Sequence, residues 1–150
     1  MAEPLTGLLS YDLAVEFSEP YVSRIIEAVQ DDEFIVIYHN CGNNAVGIIE
    51  SILRVNASAY HFGNAVSMLD VMKNMPKDVL VMGNIDPAGQ FLGGTEESIR
   101  NETLNLMKQL CRDYPNFLIS SGCDIPPNSS WDNIYAFFNA VEDFYKGNFN

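Results

Sequence analysis

No apolar run in the sequence approaches the roughly 18 residues that would suggest a membrane span. Met1-Ala2-Glu3-Pro4 lacks the basic start and apolar centre of a secretory leader. Neither a membrane nor export is expected, and the chain reads as cytoplasmic. Positive charge is scarce as well: eight Lys and Arg stand against twenty Asp and Glu, a formal charge of −12. With no basic run to neutralise phosphates, no nucleic-acid partner is expected. Cysteine is limited to three, an odd number for a reducing compartment. That argues against a disulfide framework and leaves thiolate ligation, catalysis or burial as uses for the thiols. There is also no Gly-, Ser- or Pro-rich linker, no low-complexity segment and no close internal repeat. Residues 1–150 therefore read as a single domain, or as part of one.

What is present is enough for a core, since 47% of the residues are hydrophobic. In residues 11–30, Leu13, Phe17, Tyr21, Ile25 and Val29 recur every four positions, which suits one helix or two segments broken near Pro20. "EFIVIYH" is short, continuously apolar and β-branched, the pattern of a strand covered on both faces. Helical spacing returns in 45–56, then a strand in 57–63, a helix in 65–76 that ends against Pro76, and a strand in 78–84. The helix expected over 95–114 opens on Thr95 as N-cap, with Ser98 three residues on and the acidic pair Glu96-Glu97 in its first turn. A strand in 116–122 and an amphipathic helix in 130–146 complete the pattern. One helix followed by four strand–helix units calls for an α/β fold with a parallel sheet and right-handed crossovers.

In such folds ligands gather beyond the carboxyl ends of the strands. The residues found there are His39 with Cys41, His61 with Asn64, Asn84 with Asp86, and Cys123 with Asp124. Two histidines and two of the three cysteines at strand ends point to one shared site. His39, Cys41 and Cys123 supply one imidazole and two thiolates, a set that zinc accepts, and three ligands leave a fourth position open, as catalytic zinc requires. Each residue also has a plainer reading. His39-x-Cys41 on its own fits the buried end of a strand, and His61 fits a packed or hydrogen-bonded residue as well as a site-lining one. Asn84 and Asp86 fit turn formers before Pro87 as well as substrate-lining groups. Cys111, inside the 95–114 helix near Ile99, Met107 and Leu110, reads as a small buried hydrophobe.

The stretches "GLLSYDLAVEFSEPYVSRI", "YHNCGN", "MGNIDP", "GGTEESI" and "SSGCDIPPNSSWDNIYAF" resemble, in order and spacing, the carboxyl-terminal half of the uroporphyrinogen decarboxylase superfamily. His-x-Cys-Gly followed about eighty residues later by Gly-Cys-Asp-x-Pro is similar to its zinc-dependent, corrinoid-linked branch, which includes the methylcobamide:coenzyme M methyltransferases. The resemblance runs over about residues 7–145. It implies half of a (β/α)8 barrel, zinc on His39, Cys41 and Cys123, and a corrinoid carried by a partner protein. The implied reaction moves a methyl group between that corrinoid and a thiol or a methylated small molecule, with zinc activating the sulfur or heteroatom. The direction of transfer is not implied.

Family members are roughly twice as long, and four parallel strands cannot close into a barrel. Two open edges and an apolar face are expected to be covered by a second copy or by a separate amino-terminal half-barrel. Two other functions stand beside the methyltransferase: a catalytically inactive half-barrel serving binding or assembly, and a metal-free decarboxylase-like lyase, which has no need of the two thiols.

Overall fold

The computed structural model describes residues 1–147. Two short helices, α1 (Tyr11–Phe17) and α2 (Glu19–Val29), lead into four strand–helix units. The units are β1 (Ile37–Asn40) with α3 (Ile49–Arg54), β2 (Ala59–Phe62) with α4 (Met68–Asn74), β3 (Leu80–Ile85) with α5 (Glu96–Leu110), and β4 (Phe117–Ser121) with α6 (Trp131–Lys146). The sheet order is β1-β2-β3-β4, and every pair is parallel. This is the expected α/β arrangement, the carboxyl-terminal half of a (β/α)8 barrel. Among the described residues no helix is long and apolar enough to cross a membrane.

The helices start where side-chain oxygens can satisfy their free amides. Ser10, Ser67, Thr95 and Ser130 each accept a backbone N–H at the start of α1, α4, α5 and α6. At Thr95 the bond is reciprocal, because Ser98 Oγ accepts the Thr95 N–H. Most elements are shorter than the sequence pattern predicts. The segment 45–56 opens as a single tight turn, Val46–Ile48, before α3 begins. α5 stops at Leu110 rather than reaching Pro115, and Cys111 caps it, half-buried against the core as expected.

Register assigns each strand residue to a face. His39, His61, Met82 and Leu118 lie in one row across the sheet, and Tyr38, Tyr60, Val81 and Phe117 in the adjacent row. The second row is buried under the helices with Ile26, Ile52, Val71 and Leu110. The first lies on the opposite face, where Ile37, Leu80 and Leu118 are exposed. A parallel sheet is stable with both faces covered, and here only one is. A second apolar cluster, Ile85, Phe91, Ile99, Ala136 and Phe137, joins α5 to α6 beside the last strands.

The apolar rhythm of residues 11–29 forms two helical segments, one of its two sequence readings. The chain breaks at Ser18, and Pro20 sits in the first turn of α2, where its missing N–H costs nothing. The face turned to the core is Ala14, Val22 and Ile26, whereas Phe17 and Tyr21 are 59% and 58% exposed. Leu13, Ile25 and Val29 share that outward stripe, and Trp131, Tyr135 and Phe138 form another on α6. Both helix faces were apolar in sequence, so spacing alone could not say which one the sheet would take.

The edge of β1 is partly occupied. Met1–Glu3 run parallel to it: His39 N donates to Met1 O at 2.8 Å and Glu3 N to His39 O at 2.9 Å. The Glu3 carboxylate accepts the Ser18 hydroxyl at 2.6 Å and the Tyr38 hydroxyl at 3.2 Å, which fixes this segment against β1 and the helix junction.

Candidate metal centre

His39 projects from β1, Cys41 from the turn just after it, and Cys123 from the loop just after β4. The ligand atoms of all three lie within 4.8 Å of one another. His39 Nε2 is 3.6 Å from Cys123 Sγ. The structure thus brings together three residues that the sequence separates by up to 84 positions.

Local structure holds each one. Buried Asn40 bends the chain after β1: its Oδ1 accepts Gly42 N–H at 2.9 Å and its amide donates to Glu3 O at 3.1 Å. Gly63 leaves room for Cys41, since a Cβ there would stand 2.6 Å from the Cys41 Cβ. On the other side Gly122 N–H donates to Ile85 O at 2.7 Å and Ser121 Oγ donates to Cys123 O at 2.8 Å. These bonds fold the β4 loop back over the sheet end.

His39 is also set in the tautomer a metal needs. Its Nδ1 lies 3.2 Å from the carbonyl oxygen of His61, which can only accept, so Nδ1 carries the hydrogen and Nε2 keeps its lone pair. Burial, with the His61 ring as a second cause, pushes His39 below the ordinary imidazole range and favours this neutral form. Burial and the neighbouring Cys123 push the Cys41 thiol above its ordinary value. A cation between them would reverse that preference, because ligation removes the thiol proton outright. One imidazole lone pair and two sulfurs at mutual spacing under 5 Å suit tetrahedral zinc and leave one position for an exogenous ligand.

The three residues line an open cavity of about 700 Å³ over the uncovered sheet face. His61 lines it too, with its ring centroid 4.6 Å from that of His39. Asn84 and Asp86 do not. Gly83, at φ 149°, breaks the alternation of β3, and a Cβ there would meet Phe62 O at 2.8 Å. Asn84 turns to the helix side, where its buried amide donates to Gly63 O at 2.9 Å and Val66 O at 2.8 Å. Asp86 caps the turn of wide helix Pro87–Leu92, its Oδ1 accepting Ala88 and Gly89 N–H groups at 2.9 Å. Asp86 is the turn former of its plainer sequence reading, whereas Asn84, inside β3, is not. Asp124, named with Cys123 at its strand end, lines the cavity, and so do Ser120 and Ser121, which were not singled out. Their signal was available, since they flank Cys123 at the end of the same strand.

A sheet end carrying a His-Cys-Cys cluster, on half of a barrel, defines a class of metal-site candidate. The family follows from direct comparison: residues 2–144 match the uroporphyrinogen decarboxylase (URO-D) family, and the chain belongs to it. It is 26% identical over 143 residues to a uroporphyrinogen decarboxylase of Prochlorococcus marinus, covering 93% of this chain and 39% of that one. Against uroporphyrinogen decarboxylase 2, chloroplastic, of Arabidopsis thaliana the identity is 26% over 130 residues. Among solved structures, a methyltransferase from Methanosarcina mazei superposes with a TM-score of 0.81 at 19% identity, over 97% of this chain and 41% of that one. That likeness establishes the fold. The chain spans about a third to two fifths of the length of these relatives.

Proposed function

We propose that the chain is the zinc-holding half of a methyltransferase that moves a methyl group between a corrinoid protein and a thiol or a methylated small molecule. The observation that carries this reading is the convergence of His39, Cys41 and Cys123 within 4.8 Å at the mouth of the cavity. The structural similarity to a methyltransferase supports it. The curated relatives' name favours a second reading, a metal-free decarboxylase. Two thiols facing one imidazole have no part in that chemistry.

Held by these three residues, zinc would supply a Lewis acid that makes a sulfur or other heteroatom in its open position a better nucleophile or leaving group. The chain's own residues prepare for this. The His61 carbonyl keeps the His39 lone pair free, Asn40 and Gly63 hold Cys41 in reach, and Ser121 with Gly122 hold Cys123. The open sheet face receives the reacting partners once it is covered, either by a separate amino-terminal half-barrel or by a second copy. We place the protein in the cytoplasm, where the thiols stay reduced. The test is methyl transfer from methylcobalamin to a small thiol, with zinc-loaded wild type compared with Cys41→Ala. Activity lost in the variant supports the reading. Decarboxylation of a porphyrinogen by the metal-free protein would overturn it.

A further inference from the structure

His61 is the one histidine of the cavity that does not belong to the metal cluster. Its Nε2 lies 2.7 Å from the carbonyl oxygen of Ser121 and 3.1 Å from Ser120 Oγ. The Ser120 hydroxyl donates its own hydrogen to Ser121 O at 3.0 Å, which leaves Ser120 Oγ free to accept. Two acceptors therefore face Nε2, and the hydrogen of the neutral ring must sit there. Nδ1 is left as a bare acceptor. It has no hydrogen-bond partner among the described residues and is not one of the buried orphan atoms, so it opens to the cavity that the ring lines. The ring lies against that of the candidate ligand His39, with centroids 4.6 Å apart and planes tilted by 31°.

The cavity carries charge of both signs, the Asp124 carboxylate and the Met1 ammonium. A hydrogen-bond donor near the reacting atom would find a fixed imidazole acceptor.

Building on the proposed metal site, we infer that His61 is a specificity residue that accepts a hydrogen bond from a hydroxyl or amine of the substrate, carried a few bonds from the atom that occupies the open metal position. The substrate class is then a thiol, or a methylated heteroatom compound, with a nearby O–H or N–H donor. A buried hydrogen bond of about 0.5–1.5 kcal/mol corresponds to a roughly 2- to 13-fold preference for the donor-bearing molecule.

The test uses the whole chain loaded with cobalt(II) in place of zinc and follows thiol binding by the sulfur-to-cobalt charge-transfer band. The probes are ethanethiol and 2-hydroxyethanethiol. Wild type is expected to bind the hydroxyl compound several-fold tighter than ethanethiol. In His61→Phe, which keeps an aromatic ring beside His39, the hydroxyl preference is expected to collapse while cobalt stoichiometry and ethanethiol affinity hold. In His61→Gln, which restores an acceptor, the preference is expected to return in part. No hydroxyl preference in wild type, or an unchanged preference in His61→Phe, would overturn the assignment while leaving the metal site standing. Failure of wild type to take up cobalt would remove the metal site first and this assignment with it.

Discussion

His39 Nε2 lies 3.6 Å from Cys123 Sγ, joining the first and last strands of the sheet across its open face. Neither residue could reach the other without the intervening parallel strands setting the width of the gap. The His-Cys-Cys cluster is therefore a product of the whole fold, and loss of either end of the sheet would dismantle it.

Metal uptake should depend on pH in a definite direction. Burial and Cys123 raise the Cys41 thiol above its ordinary value, and only the thiolate binds zinc. Affinity is expected to rise from pH 6 through pH 8 and uptake to release protons throughout. Calorimetry in buffers of different ionisation enthalpy counts those protons. Uptake without proton release would mean that Cys41 is not a ligand.

Asn133 tests the packing of the last unit. Its buried amide donates toward the carbonyls of Gln90, Phe91 and Gly94 at 3.3, 3.2 and 3.0 Å, tying α6 to the Pro87–Leu92 turn. Asn133→Ala strands these acceptors and is expected to cost about 1–3 kcal/mol in urea unfolding. Asn133→Asp, which places a carboxylate against three carbonyls, should cost more.

Acid stability has a contribution from Glu19. Hydrogen bonds from Arg54, at 2.8 and 2.7 Å, hold its carboxyl below the ordinary value of 4.5. Because the folded pKa lies below the unfolded one, the stabilisation is complete above about pH 4.5 and is lost as pH falls through the folded pKa. Glu19→Gln should lower the urea midpoint at pH 7 and narrow the difference between pH 7 and pH 3. An equal difference in both proteins would remove Glu19 from the account.

The outward stripes of α1, α2 and α6 should make the isolated chain sticky. Dye binding by anilinonaphthalene sulfonate and self-association in analytical ultracentrifugation are expected for wild type. Phe17→Glu with Ile25→Glu should reduce both while leaving helical circular dichroism unchanged, because these side chains are 59% and 51% exposed. A wild-type monomer that binds no dye would contradict an uncovered apolar face.

Much of this architecture was legible in the sequence. The strands are short, apolar and β-branched, the helices carry four-residue spacing, and Thr95 announces its own cap. His39, Cys41 and Cys123 stood out because their residue types recur where strands end. What could not be read depended on the third dimension. Asn84 sits at a strand end, yet its amide is taken up by the Gly63 and Val66 carbonyls and not by the cavity. The stripe of Leu13, Phe17, Tyr21, Ile25 and Val29 is regular, yet Ala14, Val22 and Ile26 win the core. Asn40 is the buried brace that presents Cys41, a role that no residue spacing announces.

The central claim is that His39, Cys41 and Cys123 hold zinc. Metal analysis of the purified chain by plasma mass spectrometry, in wild type, Cys41→Ala and Cys123→Ala, tests it most directly. About one zinc per wild-type chain is expected, with affinity in each variant lowered by more than the roughly 10–100-fold that outer-shell changes produce. Folded wild-type protein that takes up no zinc, or variants that keep it, would contradict the claim.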